Sequence, residues 1–326
     1  MRATRQQGTM MRHSDNFTPE HSPVMPREAV DLLDCKPGGI YVDATLGLGG
    51  HAQLILDRIL PGGLLIGIDR DEDSLEKARA RLKTYGASVR LCHDNFKNLP
   101  LILNNLSVKP IDGILLDLGV SSYQLLSANR GFSFQGDSML DMRMDRRQRW
   151  TAADLINNLP EDQLADIIYQ YGEERLSRKI AAAIVAARAQ GPVTRCSQLA
   201  QIVTRTLRVR GFPSIHPATK TFQALRIAVN QELEGLEDFL IEMRSFLKTG
   251  ARMVVISFHS LEDRIIKRAF RRFAGQCVCE RPPELCTCSR QPVAALLTTK
   301  PLKPGADELA ANPRSRSARL RALEFI

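Results

Sequence analysis

A chain of 326 residues, 44% of them hydrophobic, is long enough to bury a core without covalent staples. Its seven cysteines are odd in number and three of them (Cys35, Cys92, Cys196) are scattered singly, which argues against a disulfide framework and for a reducing, cytoplasmic setting; no apolar stretch approaches the roughly 18 residues that a membrane span requires. The formal net charge is +9, and the excess is clustered at Arg143 to Arg149, Arg205 to Arg210, Arg264 to Arg272 and Arg314 to Arg321, a pattern suited to a polyphosphate partner.

In chain order, Met1 to His13 carries Arg2, Arg5 and Arg12 without an acid and without an apolar segment, so residues 1–20 are expected to form a basic disordered tail rather than a secretory signal. Apolar β-rich runs follow at 40–46, 64–69, 89–94 and 111–118, with helical patterns between them. This β-α-β-α rhythm with nearly continuous apolar strands predicts a doubly wound α/β fold with a parallel sheet covered on both faces. Each run ends at or close to an acid, namely Asp43, Asp69, Asp94 and Asp117, and ligands of such sheets bind beyond the carboxyl ends of the strands. A lone strand-end Asp is usually a helix cap; four in register outline one crevice.

After Ser122 the rhythm stops, and the next convincing strand is 251–258. The intervening pattern is helical, at 152–158, 161–171, 173–189, 197–209 and 219–247, far longer than a crossover needs. Residues 130–230 are therefore expected to be an inserted helical domain, with 21–129 and 231–326 building the sheet domain. Ser260-Leu-Glu-Asp263 predicts the start of an amphipathic helix, with Ser260 as its cap, and the chain closes on a last strand. Between them, Cys277-Val-Cys279 and Cys286-Thr-Cys288 form two Cys-x-Cys pairs. Four thiolates so close suit zinc, but the commoner knuckle is Cys-x-x-Cys and no histidine joins them; the pairs read as thiols in a Pro-rich loop or as a zinc site, and no metal site is assigned.

The run Asp43-Ala-Thr-Leu-Gly-Leu-Gly-Gly-His51 lies between the first strand and a helix, where glycines permit close approach of a ligand to the backbone and the helix offers unpaired N–H groups to an anion. A dinucleotide fingerprint needs a third glycine where Ala52 stands, and no Gly-x-x-x-x-Gly-Lys-Ser/Thr sequence occurs, so NAD, FAD and P-loop nucleotides are disfavoured. Asp69 is placed to accept hydrogen bonds from ribose hydroxyls and Phe96 to lie against an adenine ring. A glycine loop, a ribose acid and an adenine platform without a diphosphate motif describe S-adenosyl-L-methionine.

The resemblance then becomes specific. The glycine run, Asp117-Leu-Gly-Val-Ser-Ser-Tyr-Gln124, Arg130-Gly-Phe-Ser-Phe134, Leu140-Asp-Met-Arg-Met-Asp145, His216 to Arg226 and Ser257 to Arg264 together resemble the bacterial 16S ribosomal RNA cytosine-N4 methyltransferase family (RsmH, formerly MraW), from about His21 to Ile326. The resemblance implies a class I methyltransferase, Rossmann-like fold with a helical insertion for substrate recognition. It implies S-adenosyl-L-methionine as donor, and N4 methylation of a decoding-region cytidine in 16S rRNA of the small ribosomal subunit. Carried onto matching positions, the cofactor contacts are Gly49, Gly50, His51, Asp69, Phe96, Asp117 and Gln124, with Asp117 also catalytic. Neither a membrane nor an obligate protein partner is called for.

The cytosine amine is a weak nucleophile because its lone pair is delocalised into the ring. The Asp117 carboxylate or the Leu118 and Gly119 carbonyls are expected to accept hydrogen bonds from N4 and then a proton. Many amino methyltransferases carry Asn/Asp/Ser-Pro-Pro-Tyr/Phe here and this chain does not, so a flipped base must stack elsewhere; Tyr123, Phe132 and Phe134 are candidates, the two phenylalanines serving equally well as core. His259 is a candidate substrate contact or a satisfied structural histidine, and Arg143 and Arg226 either grip phosphate or pair with acids. A DNA amino-methyltransferase and a non-catalytic ribosome-binding protein are the rival readings. The missing Pro-Pro-aromatic argues against the first, and the intact glycine loop and strand-end acids against the second.

Overall fold

A computed structural model describes residues 23–127, 129–134, 137–207, 216–279, 285–286 and 290–326. The expected basic tail, and Arg208, Arg210 and Cys288, lie outside these described residues.

Four strands, β1 (Ile40–Asp43), β2 (Leu64–Asp69), β3 (Val89–His93) and β4 (Ile111–Asp117), pair in parallel with each other and, through β4, with β5 (Leu247–Ser257). β6 (Ala294–Leu296) and β7 (Arg319–Phe325) complete a seven-stranded sheet in the order β3-β2-β1-β4-β5-β7-β6, with β7 antiparallel to β5 and β6. This is the expected α/β doubly wound, Rossmann-like sheet. Side chains alternate between its two faces, so both faces need apolar residues. Val42, Ile66, Ile114 and Val255 pack on one side beneath α4 (Leu99–Asn105), α11 (Leu236–Met243) and α12 (Ser260–Phe273). Tyr41, Leu65, Leu115 and Val254 pack on the other beneath α1 (Pro26–Leu33), α2 (Gly50–Ile59) and α3 (Glu72–Arg81).

Register aligns the carboxyl ends. Asp43 lies opposite Gly67 and Leu115, Asp69 opposite His93, and Asp117 opposite Ile256, so three strand-end acids share one edge. The chain leaves β1 toward β2 and leaves β4 toward β5, and the crevice between β1 and β4 is the switch point at which such sheets bind ligands.

After β4 comes the short α5 (Ser122–Leu126), and then α6 (Ala152–Asn158), α7 (Glu161–Gly172), α8 (Ser177–Arg188), α9 (Cys196–Leu207) and α10 (Thr219–Asn230). These five helices pack around an apolar cluster of their own, which includes Phe132, Met142, Ile156, Ile168, Ile184, Leu199 and Leu225.

Several expected boundaries move. The helix expected over 173–189 starts at Ser177, because Glu173 takes a left-handed conformation (φ 48°) that closes α7. The helix expected over 219–247 is two helices and a strand start, broken at Gln231 (φ 49°) and Gly235 (φ 67°). Local periodicity runs on through that break; the turn is imposed by the return of the chain to the sheet. α1, β6 and α13 (Ala306–Ala311) were not anticipated, being short and, for β6, held by pairing with β7 rather than by any pattern of their own. Among the described residues no helix is long and apolar enough to cross a membrane.

Candidate active site

A cavity of about 350 Å³ opens at the switch point, within the size range of small-molecule sites. Its floor is the loop from Ala44 to Leu48, its sides carry Asp69, Asp94, Phe96 and Asp117 to Gly119, and its far wall is built from Met144, Arg226, Glu232, Phe258 and Glu262.

The glycine loop is shaped by its backbone bonds. Leu46 N–H donates to the Ile68 carbonyl (2.8 Å) and Gly47 N–H donates to Asp69 Oδ2 (2.7 Å), so the loop is tied to the end of β2. Gly47 adopts φ 52° and a Cβ added there would meet nothing within 4 Å, because the position faces the cavity. Gly49 (φ 77°) is the left-handed N-cap of α2 and offers no side-chain cap, which leaves the first-turn N–H groups of the helix for an outside acceptor. Gly49 itself does not line the cavity; it shapes the turn, and an added Cβ would lie 3.3 Å from Leu82 Cδ1. Gly50 is needed for close packing, since its Cβ would stand 2.9 Å from Pro23 Cγ.

Three strand-end acids and one histidine set the electrostatics. Asp69 Oδ1 accepts from Asp71 N–H (2.8 Å) while burial pushes its carboxyl up to about 6. Asp43 is 1% exposed; burial, with Asp69 nearby, pushes it up to about 7, and its Oδ2 has no hydrogen-bond partner. Asp117 is held well above the ordinary carboxylate range by burial and by the charges of Asp43 and Glu262, and its Oδ1 is likewise unpartnered. His51 Nε2 lies 2.9 Å from the Val24 carbonyl and burial lowers its pKa to about 4, so the ring is neutral with its proton on Nε2. That leaves the Nδ1 lone pair 3.8 Å from Asp117 Oδ2, an arrangement which adds no positive charge to the site. A crowded set of acids in which two buried carboxylate oxygens, on Asp43 and Asp117, have no hydrogen-bond partner suits a positively charged ligand.

Phe96 is 8% exposed; one edge meets Phe239 (centroids 4.9 Å apart, rings at 68°) and the remainder lines the cavity. Gln124 is buried: its Oε1 accepts from Ser121 N–H (2.9 Å) and its Nε2 donates to Asp71 Oδ2 (2.5 Å), which clamps the loop after β4 to the loop after β2. Asp71 also faces Arg130, whose guanidinium reaches Asp71, Asp73 and the carbonyls of Arg143 and Met144. Sequence reasoning quoted Arg130 only as part of a motif. A buried arginine joining three segments carries no local pattern.

On the far wall, Arg226 makes a two-pronged pair with Glu232 (2.9 and 2.8 Å). Burial disfavours the Arg226 charge, but Glu232 and Glu262 hold its pKa above the usual value. Burial pushes Glu262 up, yet His259, Arg226 and the Phe258 N–H together keep it below the ordinary range. His259, not Ser260, is the N-cap of α12: its Nδ1 accepts from Glu262 N–H, while Ser260 Oγ bonds Glu173. Arg143 is forked onto Asp141 (2.8 and 2.8 Å), and Asp145 takes Arg147 instead. Both arginines expected to choose between phosphate and acids are thus paired with acids.

None of the three expected stacking residues lines the cavity. Phe132 is core of the helical cluster, Phe134 stacks on His216 (4.3 Å) and Tyr123 lies under Lys77. Phe258, which sequence reasoning missed, does line it, with its ring edge 3.5 Å from where a Cβ on Gly119 would stand. Its only sequence signal was membership of the Ser257 to Arg264 run.

Residues 18–326 match the MraW methylase family. The chain is 51% identical over 307 residues to "Ribosomal RNA small subunit methyltransferase H" of Pelobacter propionicus, covering 94% of this chain and 98% of that protein. Proteins of the same name are 52% identical over 304 residues in Desulforapulum autotrophicum (93% and 97% covered) and 52% identical over 309 residues in Geobacter sulfurreducens (94% and 99% covered).

Proposed function

The chain belongs to the MraW methylase family and is an S-adenosylmethionine-dependent ribosomal RNA methyltransferase; we propose that its acceptor is the exocyclic N4 of a decoding-region cytidine in the 16S rRNA of the small subunit, methylated in the cytoplasm. The observation that carries this reading is Asp117, a largely buried carboxylate with one unpartnered oxygen, in the same cavity as the glycine loop and Asp69.

The residues present fit the cofactor. When bound, S-adenosylmethionine supplies a methyl group on a positively charged sulfonium, and the acids clustered at Asp43, Asp69 and Asp117 complement that charge. The open first turn of α2 at Gly50 and His51 would hold the carboxylate of the methionine portion. Asp69 keeps lone pairs beyond its two backbone bonds for ribose hydroxyls, and Phe96 lines the adenine side. Gln124 acts through Asp71, holding the loop after β4 against the loop after β2.

On the acceptor side, Asp117 and the Leu118 carbonyl accept hydrogen bonds from N4, which localises its lone pair, and Asp117 takes the proton that N4 releases as the methyl–sulfur bond is exchanged for the new N–C bond and a neutral thioether is left. Phe258 provides the surface on which the flipped base stacks. The inserted helices within 130–230, with the basic clusters at Arg146 to Arg149 and Arg264 to Arg272, form the RNA-facing wall.

The test offers labelled S-adenosylmethionine with assembled small subunits, naked 16S rRNA and DNA, followed by digestion to nucleosides. N4-methylcytidine from ribosomal RNA is expected; label recovered only from DNA, or on another atom of the base, refutes the assignment.

A further inference from the structure

We propose that Cys277, Cys279 and Cys286 are ligands of a structural zinc ion that staples the loop following α12. Their three sulfurs form a closed triangle, with Cys277 to Cys279 3.4 Å, Cys277 to Cys286 3.4 Å and Cys279 to Cys286 3.5 Å. A disulfide holds its sulfurs at about 2.05 Å, so these are three separate thiols. Zn–S bonds of about 2.3 Å in a tetrahedron place sulfurs about 3.8 Å apart, so the triangle is one face of such a site before a small expansion.

The loop is pinched at its neck: Val293 N–H donates to the Phe273 carbonyl (2.7 Å), and a Cβ on Gly275 would stand 2.7 Å from the Arg290 carbonyl oxygen. Beyond the neck, none of the described residues between Gln276 and Pro292 is buried, and Leu285 is 64% exposed. Cysteine thiols ordinarily sit in apolar interiors. Three of them gathered among described residues none of which is buried match the small elements that depend on a metal staple. Soft thiolates select zinc over magnesium or calcium, each thiol losing its proton on binding. Cys288 completes the second Cys-x-Cys pair in the sequence and lies outside the described residues. The sequence spacing left zinc and unligated thiols both open; the triangle favours zinc.

The experiment uses the full chain, purified under reductant, reconstituted with zinc chloride, desalted and analysed for metal. About one equivalent of zinc is expected, lost in Cys279→Ser and in Cys286→Ser but retained in Cys92→Ser, whose thiol lies on β3. Stripping the metal with a chelator should speed trypsin cleavage between Arg271 and Arg290 without changing methyl-donor binding, which separates this proposal from the assignment of the active site. Less than about a tenth of an equivalent after reconstitution, full zinc in Cys279→Ser, or loss of zinc in Cys92→Ser would each overturn it.

Discussion

Replacing Arg130 with methionine removes a charge but little volume, and the structure gives the cost. Arg130 and Asp71 have side chains only 3% and 2% exposed, and the guanidinium lies 2.8 Å from Asp71 Oδ2 and 3.0 Å from Asp73 Oδ2 while donating to two backbone carbonyls. Without it, Asp71 keeps Gln124 Nε2 and the Asp73 N–H but loses its countercharge. Stranding one member of a buried pair costs about 3–5 kcal/mol. At roughly 2 cal/mol/K of unfolding entropy per residue, that corresponds to a fall of about 4–7 °C in the midpoint of thermal unfolding for a chain of this length. Adding Asp71→Asn removes the stranded charge and keeps a good N-cap for α3, so the double variant should be more stable than Arg130→Met alone. The assay is thermal unfolding of the four proteins of the cycle without ligand. A shift below about 1 °C for Arg130→Met, or a double variant whose loss equals the sum of the singles, refutes the ion-pair reasoning.

Asp69→Ala should weaken S-adenosylmethionine binding by about ten- to a hundredfold, the worth of one charge-assisted hydrogen bond; an unchanged Kd by calorimetry removes Asp69 from the ribose site. Asp117→Ala should lower methyl transfer by about two to four orders of magnitude while donor binding persists at least in part, and unchanged turnover would sink its proton-accepting role. For Asp43 the folded carboxyl titrates near 7, above the ordinary carboxyl value of 3.8, so the folded state binds the extra proton and stability falls as pH rises between those values. Asp43→Asn removes that dependence, and its stability relative to the parent should grow from pH 4 to pH 7 by up to about 4 kcal/mol; a constant difference in urea midpoints across that window contradicts the assignment.

Much of the molecule was legible in one dimension for a physical reason. Strands buried on both faces must be apolar almost throughout, so β1 to β4 announced themselves, and acids at their ends stood out against that background. The glycine loop was equally plain, because only glycine occupies φ values near those of Gly47 and Gly49 without strain. Those features sufficed for fold class, for the crevice and for the chemistry of the donor. The far wall was not legible. Glu232, Phe258 and Glu262 reach the cavity from segments more than a hundred residues beyond Asp117 in the chain, and their side chains meet Arg226 and Gly119 only after the chain turns at Gln231 and Gly235. The same holds for Arg130, whose five acceptor contacts come from two distant segments. Position 259 shows the limit locally: Ser260 is the better cap by composition, yet the backbone leaving β5 gives extended φ and ψ to His259 and assigns the cap there. Sequence alone determined what repeats along the chain or demands a particular backbone conformation. Tertiary structure alone decided which separated charges and rings face one another, because burial and proximity, the sources of their shifted proton affinities, exist only once the sheet and the inserted helices have closed over the site.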